Sequence, residues 1–311
     1  MKRFNHRFFG LIRALAAVAA VLLLAAAVVG ASSAAVSAQS QATPPQERIT
    51  LSPTGKRYAL PPGGSINDSL TVINDGDVPY DFVVYARPYT VIGEDYQPDF
   101  SRDVPGADAY QWVQFEASRY SLQPGQKVTV NYSVRIPLNA SPGGHYGVIF
   151  AESQPASQPG ENSIVRKKRV GSILYVTVTG AYRQGGSFLG AKLPFWQTRP
   201  PLSGYARVQN TGNVDFETNL KLRVSDVFGR TKYQNETVYS VLPATVRRLP
   251  LVWQDVPPIG LFKVSADIKF LDQNRTVNFW VLIMPRWVAA LMVLVIGAAG
   301  IYYVLKLRRG N

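Results

Sequence analysis

The stretch Lys127–Pro137 reads KVTVNYSVRIP, and its apolar and polar residues alternate without a break. A period of two predicts a β-strand with one face on a core and the other in water. Phe262–Phe270 (FKVSADIKF) shows the same alternation. Weaker copies occur at Tyr80–Ala86, Ser172–Thr179, Leu220–Val224 and Thr276–Ile283.

Turn residues separate these runs, at Pro61–Gly64, Pro124-Gly125, Pro142–Gly144 and Gly185-Gly186. No amphipathic pattern of three helical turns occurs between Ile49 and Pro285. Short alternating strands with frequent turns predict an all-β chain built from antiparallel sandwiches. Two longer loops are predicted at Gly93–Asp108 and at Ser153–Arg169, the second as a hairpin tip.

A short motif occurs twice, as VINDGDV at Val72–Val78 and as VQNTGNV at Val208–Val214. Both copies read V-x-N-x-G-x-V, which is typical of a strand, a tight connection in which glycine accepts a positive φ, and a second strand. The repeat predicts two tandem immunoglobulin-like β-sandwiches, at residues 47–183 and 184–285.

Both ends of the chain are apolar. Residues 1–38 start with basic residues, continue through an apolar core and end in Val36-Ser37-Ala38, which predicts a signal peptide cleaved after Ala38. An uncleaved anchor is the alternative. Residues 39–46 predict a disordered lead-in.

The uncharged stretch Trp287–Leu305 reads WVAALMVLVIGAAGIYYVL and predicts a transmembrane helix at 286–305. A buried core helix is the alternative. Basic residues dominate 306–311, which predicts a cytoplasmic tail. Together the two ends predict a single-pass type I protein of the cell membrane whose body lies outside the cytoplasm.

The charge and the cysteine content narrow the range of possible functions and cellular locations. The net charge is +13, but eight of the 33 basic residues and none of the 20 acidic residues lie in the two apolar ends. The body is therefore only mildly basic, which does not indicate nucleic-acid binding. The absence of cysteine in an exported chain favours a bacterial envelope over an animal secretory pathway.

Candidate site residues are few, and we predict no catalytic residue, metal site or cofactor. His145 is the only histidine outside residues 1–38; it either caps a turn or, with Tyr146, contacts a ligand at the end of the sandwich. The basic run Arg166, Lys167, Lys168 and Arg169 either grips an anionic polymer or is a solvated loop tip. The acidic loop at 93–108 is either solvated or a calcium site.

The order of features resembles the WxL-interacting protein family of bacterial cell surfaces. The resemblance rests on Leu122–Gly125 before the long strand, on PGGHYGVI at Pro142–Ile149, on Asn210–Asn213, and on one C-terminal helix with a basic tail. It implies a membrane-anchored protein that binds surface proteins and peptidoglycan. No binding residue is carried over from the family.

Three functions remain open at this point. The first is a non-enzymatic, membrane-anchored binding or adhesion protein whose sandwiches hold cell-wall polymer or a surface protein, with sheet edges adding a strand from the partner. The alternative is a membrane-tethered assembly factor similar to a pilus chaperone. The third is a hydrolase that uses carboxylates such as Glu94 or Asp99.

Overall fold

A computed structural model describes residues 48–154 and 167–309. The predicted signal peptide, the lead-in at 39–46 and Arg166 lie outside the described residues. Nineteen strands and one α-helix make up most of the described chain, so the all-β prediction is confirmed for the body. The strands form two sandwiches, which lie within residues 49–178 and 186–283. The predicted boundary at 183/184 falls in the segment that connects them.

The first sandwich consists of a four-stranded sheet, β1-β3-β9-β7, facing a five-stranded sheet, β2-β11-β10-β4-β8. A small hairpin, β5-β6, and a short 3-10 turn (Ala109–Trp112) lie outside the two sheets. The strand bounds are β1 Ile49–Ser52, β2 Gly55–Leu60, β3 Ser65–Asn74, β4 Tyr80–Pro88, β5 Thr90–Ile92, β6 Gln97–Asp99, β7 Val113–Phe115, β8 Arg119–Leu122, β9 Lys127–Arg135, β10 Gly143–Gln154 and β11 Arg169–Val178.

The second sandwich consists of a three-stranded sheet, β12-β14-β17, facing a five-stranded sheet, β13-β19-β18-β15-β16. Its strand bounds are β12 Gly186–Lys192, β13 Trp196–Gln197, β14 Leu202–Asn210, β15 Phe216–Asp226, β16 Thr231–Val241, β17 Val246–Trp253, β18 Gly260–Phe270 and β19 Gln273–Ile283.

Each sandwich has its own core, and the alternating strands supply it. On β9, Val130, Tyr132 and Val134 are buried, whereas Lys127 and Asn131 are exposed. On β18, Phe262, Val264, Ala266, Ile268 and Phe270 are all buried. Burial of one face of each strand is the main stabilising contribution in such a sandwich. The period-two prediction is therefore confirmed at both stretches.

The repeated motif forms the same buried turn in both sandwiches. Asn74 and Asn210 are fully buried, and the side-chain NH2 of each donates to the carbonyl four residues on, at 2.9 Å to Val78 and 2.8 Å to Val214. The side-chain oxygen of each accepts the N–H two residues on, at 3.0 and 2.8 Å. A second donation reaches the carbonyl of Leu122 or of Val241 on another strand. Each asparagine thus ties its turn to the neighbouring strand.

The two predicted loops differ in the structure. The hairpin prediction at 153–169 is confirmed at its base, because Glu152 on β10 pairs with Arg169 on β11; residues 155–166 lie outside the described chain. The segment 93–108 is less irregular than expected, since β5 and β6 pair through Thr90 and Asp99. The sequence shows no apolar alternation there, which is why this hairpin was not predicted.

The helix α1 (Arg286–Arg309) follows β19, and apolar side chains such as Val293 and Leu294 are about 70% exposed on it. Among the residues that the structure describes, no helix combines the length and the apolar character needed to cross a membrane. This finding does not bear out the span predicted at 286–305. The side chains of Tyr302 and Leu305, and those of most of the predicted tail at 306–311, lie outside the described set.

Candidate functional site: the cleft between the sandwiches

A buried carboxylate joins the two sandwiches. Asp215 follows the second asparagine turn, and its side chain is 3% exposed. From β2 of the first sandwich, the Arg57 guanidinium donates to Asp215 Oδ2 at 2.5 Å. From β10, the Tyr146 hydroxyl donates to Asp215 Oδ1 at 3.1 Å and accepts the Asp215 N–H at 2.9 Å. Two residues of the first sandwich therefore hold a buried carboxylate of the second sandwich.

Arg57 makes further contacts across the same boundary. It lies 3.1 Å from the Glu217 carboxylate and 2.6 Å from the Ser240 hydroxyl, both in the second sandwich. Its guanidinium also stacks 4.1 Å from the centre of the Tyr175 ring. Burial and the nearby Asp215 carboxylate raise the pKa of Tyr146. The hydroxyl therefore stays protonated and keeps donating its hydrogen bond.

The segment 93–108 makes a second connection, and we name it the clamp segment. Its Glu94 carboxylate pairs with both Arg207 and Arg248 of the second sandwich. The Arg248 N–H donates to the Glu94 carbonyl at 2.8 Å. The hydrogen bond from the Arg207 side chain is the main reason why the pKa of Glu94 is below its ordinary value, and the Arg248 side chain lowers it further. Neither sequence-based reading of this loop, solvated or calcium-binding, included this role.

Tyr96 extends the clamp segment into the second sandwich. Its hydroxyl accepts the Leu242 N–H at 2.8 Å and shares a hydrogen bond with Thr245. The Arg247 guanidinium lies 4.2 Å from the centre of the Tyr96 ring, within the range of a cation–π contact. The clamp segment therefore docks through charge, hydrogen bonding and aromatic packing together.

A cleft of about 310 Å³ lies between these two connections. Its lining comes from both sandwiches and includes Gly106, Gly144, His145, Asn213 and Ala244. The two backbones approach closely here, since the Gly144 N–H donates to the Asn213 carbonyl at 2.8 Å. The small size of glycine permits this approach. At Gly143, φ is +136°, and an added Cβ would lie 2.8 Å from that same carbonyl oxygen.

His145 is held by the protein on both ring nitrogens. Nδ1 lies 2.6 Å from Asp108 Oδ1, and Nε2 lies 2.9 Å from the Ser141 carbonyl oxygen. Burial alone would lower the pKa of His145, but these two acceptors outweigh it and the pKa is raised. Since both partners only accept hydrogen bonds, the geometry suits the doubly protonated ring. The turn-capping reading fits this arrangement better than a ligand contact through the ring nitrogens.

The stability of the protein should depend on pH through His145. Because its folded-state pKa is raised, the stabilisation is complete below the unfolded pKa of about 6.5 and is lost as pH rises through the folded value. We expect the difference in urea midpoint between the wild type and His145→Gln to be largest near acidic pH and to shrink towards alkaline pH. Urea unfolding across that range measures it. A difference that stays constant with pH would contradict the assigned ion pair.

The predicted basic run is partly engaged within the first sandwich. The Arg169 guanidinium lies 4.3 Å from the centre of the Phe150 ring. The Lys167 ammonium lies 3.5 Å from the Glu152 carboxylate, and the Lys168 N–H donates to the Ser153 hydroxyl. The fourth member, Arg166, lies outside the described residues. The structure does not bring this run together with His145 or Tyr146 through any described contact.

Sequence reasoning missed Arg57, Asp215 and the two arginines that hold Glu94. One signal was available: Asp215 stands directly after the second V-x-N-x-G-x-V motif, where the first copy has Pro79. An acidic residue at a position that the other repeat fills with proline marks a difference in what the two turns contact. The described residues contain no group of three or more acidic, histidine or cysteine side chains that could hold a metal ion.

Comparison with known proteins gives a likeness of fold. No family model matches the chain, and no curated protein matches it, so the resemblance to WxL-interacting proteins stays a prediction. The class 5 fimbriae chaperone CfaA is 11% identical with a TM-score of 0.37, over 76% of this chain and 100% of that chain. The E. coli chaperone DraB is 17% identical with a TM-score of 0.36, over 76% and 96%.

A complex of the Salmonella enterica SafA pilin with the SafB chaperone is also similar, with 11% identity and a TM-score of 0.39 over 76% of this chain and 97% of that one. These similar structures are fimbrial chaperones or their complexes. At such identities and scores, the likeness does not identify the partner or the activity of this chain.

Proposed function

We propose that this chain is a non-enzymatic assembly factor or binding protein that holds an extended segment of a surface protein by strand addition. Of the sequence-based readings, this is the alternative of a chaperone-like assembly factor, and it shares its mechanism with the surface-protein reading. The observation that carries it is a long, uncovered strand edge in the second sandwich. Strand addition needs such an edge, because the incoming segment pairs with unpaired N–H and C=O groups.

That edge is β16. It has eleven residues and pairs only with β15 among the described strands. At its end, the Ser240 carbonyl accepts from Arg247, which leaves residues 231–239 as the open part. Lys232 and Glu236 are its only charged residues, and Val238 is 53% exposed. The strand is long, modestly charged and apolar in places, so it suits pairing with another strand.

Most other described edges are shorter than β16 or partly occupied, and the edge strands β2 and β12 have six and seven residues. The strands β1, β7, β8 and β13 have four residues or fewer. On β17, Pro250 has no N–H to offer, and the Arg248 N–H is already used by the clamp segment. The edge of β19 is paired only at its end, through Leu282 and Ile283 with β13. Its open part, residues 273–281, is as long as that of β16 and provides a control for it.

The polymer-binding reading has less support. One of its grounds is the run at 166–169, where Arg169 is stacked on Phe150 and Lys167 is paired with Glu152. Placement outside the cytoplasm and attachment to the cell membrane remain our proposals on the sequence of the two apolar ends. Fractionation of cells that express the full chain, followed by carbonate extraction, tests both.

Adding a charge to the open edge should weaken partner binding. We expect Val238→Lys to lower the retention of surface proteins by the full-length chain about tenfold, or about 1.4 kcal/mol, because a lysine at the edge opposes strand pairing. Asn274→Lys on β19 is the matched control and should leave the retention of surface proteins unchanged. Retained proteins are quantified by mass spectrometry, and amide exchange is measured on the complex.

In the complex, amides of residues 231–239 should exchange more slowly than in the free chain, while those of β19 stay unchanged. Strand addition at this edge would be excluded if both variants retained surface proteins equally and the amides of β16 exchanged no more slowly in the complex.

A further inference from the structure

Exposed large hydrophobic side chains of the second sandwich gather at one of its ends. We name this set the apolar end: Phe195, Trp196, Phe228, Ile259, Leu261 and Trp280. Phe228 is 81% exposed and Phe195 is 60% exposed. Aromatic side chains this exposed are unusual on a surface that contacts only water.

The strand register places these residues together. Trp196 on β13 pairs with Leu282 on β19, and Leu282 also pairs with Leu261 on β18. Asp226, next to the β15–β16 turn that carries Phe228, pairs with Phe262 on β18. All of these positions lie at the end of the sheet where β19 finishes at Ile283, three residues before α1 begins at Arg286.

Polarity changes along a single face of β19. Asn274, Thr276 and Asn278 are exposed at the far end, and Trp280 takes the same face at the near end at 49% exposure. The exposed apolar surface then continues along α1, where Val293 is 69% exposed. The gradient runs from polar to aromatic to aliphatic in the direction of the helix.

Basic residues accompany the aromatic ones. Lys263 on β18 stands opposite Trp280, and the Arg230 guanidinium lies 5.8 Å from the centre of the Phe228 ring. Arg199 and Arg286 line a shallow pocket together with Trp196. The nearby Asp226 carboxylate is occupied, since it accepts the N–H groups of Phe228 and Arg230 and pairs with Lys232.

We propose that the apolar end is a lipid-contacting surface that seats the second sandwich on an anionic phospholipid bilayer. Tryptophan rings and basic side chains side by side match the headgroup region, where amphipathic rings and cations are both favoured. A protein partner would be better matched by a groove, but these side chains project from separate strands and turns around the start of α1. The proposal does not depend on strand addition at β16.

The chain has no cysteine, so one introduced cysteine gives one labelling site. We would attach a spin label to full-length Phe228→Cys and, as matched control, to full-length Val238→Cys. Val238 is also an exposed hydrophobic residue, but it lies ten residues further on, along β16. Each protein is mixed with vesicles of phosphatidylcholine alone or with added phosphatidylglycerol, and access of a water-soluble nickel reagent to the label is measured by EPR.

We expect the label at 228 to lose access to the nickel reagent several-fold with the anionic vesicles and less with the neutral ones. The label at 238 should remain accessible throughout. If the chain binds vesicles while the 228 label stays exposed, α1 alone makes the contact and the proposal is wrong. If the 228 label is shielded without vesicles, in proportion to protein concentration, a second copy covers this end and the proposal is equally overturned.

A charge-reversal variant checks the basic component separately. Lys263→Glu changes an exposed side chain that stands opposite Trp280 of the apolar end and makes no ion pair with any described residue. It should remove the preference for phosphatidylglycerol while leaving the far-ultraviolet circular dichroism unchanged. A retained preference in a folded variant would contradict the charge argument.

Discussion

Replacing Asn210 with alanine is expected to lower the free energy of unfolding by about 3 kcal/mol. The side chain is fully buried, donates to Val214 and Val241 and accepts from Gly212. Alanine removes the side-chain hydrogen bonds to the Val214 and Val241 carbonyls and to the Gly212 N–H in a buried place. Each buried polar group that loses its hydrogen bond costs about 1–3 kcal/mol, and local rearrangement of the structure offsets part of this cost. Asn74→Ala should cost a similar amount in the first sandwich.

Urea unfolding followed by tryptophan fluorescence measures both losses. Asn219→Ala is the matched control, because Asn219 also donates a side-chain hydrogen bond, to Glu236 at 2.7 Å, but on the exposed face. It should change stability by less than about 0.5 kcal/mol. A loss for Asn210→Ala no greater than that of the control would refute the structural role given to the repeated motif.

Removing the Arg57 side chain should separate the unfolding of the two sandwiches. Arg57→Ala leaves the Asp215 carboxylate with only the Tyr146 hydroxyl across the boundary and also removes the contacts to Glu217 and Ser240. Loss of one partner of a buried ion pair costs about 3–5 kcal/mol, and because Arg57 is 42% exposed we expect about 2 kcal/mol here. We expect differential scanning calorimetry to show two transitions for Arg57→Ala and a single transition for the wild type.

Lys56→Ala is the control for this experiment. Lys56 precedes Arg57 on the same strand, but its ammonium pairs with Asp68 inside the first sandwich at 2.9 Å. It should shift the melting of the first sandwich slightly without splitting the transition. If Arg57→Ala and Lys56→Ala give the same calorimetric trace, the Asp215 carboxylate does not couple the sandwiches.

Much of the fold could be read from local pattern. The alternation at Lys127–Pro137 and Phe262–Phe270 gave the strands, because a half-buried strand imposes a period of two on its own residues. The repeated motif gave the two equivalent turns, because each asparagine satisfies backbone groups within four residues of itself. Such features can be recognised in a single sequence because the interacting residues lie close together along the chain.

The contacts between the sandwiches could not be read in this way. Asp215 lies 158 residues after its partner Arg57, and Arg207 lies 113 residues after its partner Glu94. Nothing in the residues around Glu94 distinguishes an acid that pairs at a distance from one that faces water. His145 was likewise identified as a candidate, but its partner Asp108 was assigned only to the acidic loop. Charge pairing between distant segments needs the fold before it can be assigned.

The two sandwiches are joined at several places, through Arg57 and Tyr146 at Asp215, through the clamp segment, and through the Gly144 N–H to the Asn213 carbonyl. A single contact would let one sandwich rotate relative to the other, whereas contacts at separate places restrict rotation about the linker between them. Swivelling at residues 179–185 would have to break the Asp215 cluster and the Glu94 cluster at once. If a partner strand binds at β16 as proposed, we expect a force on that strand to move both sandwiches together.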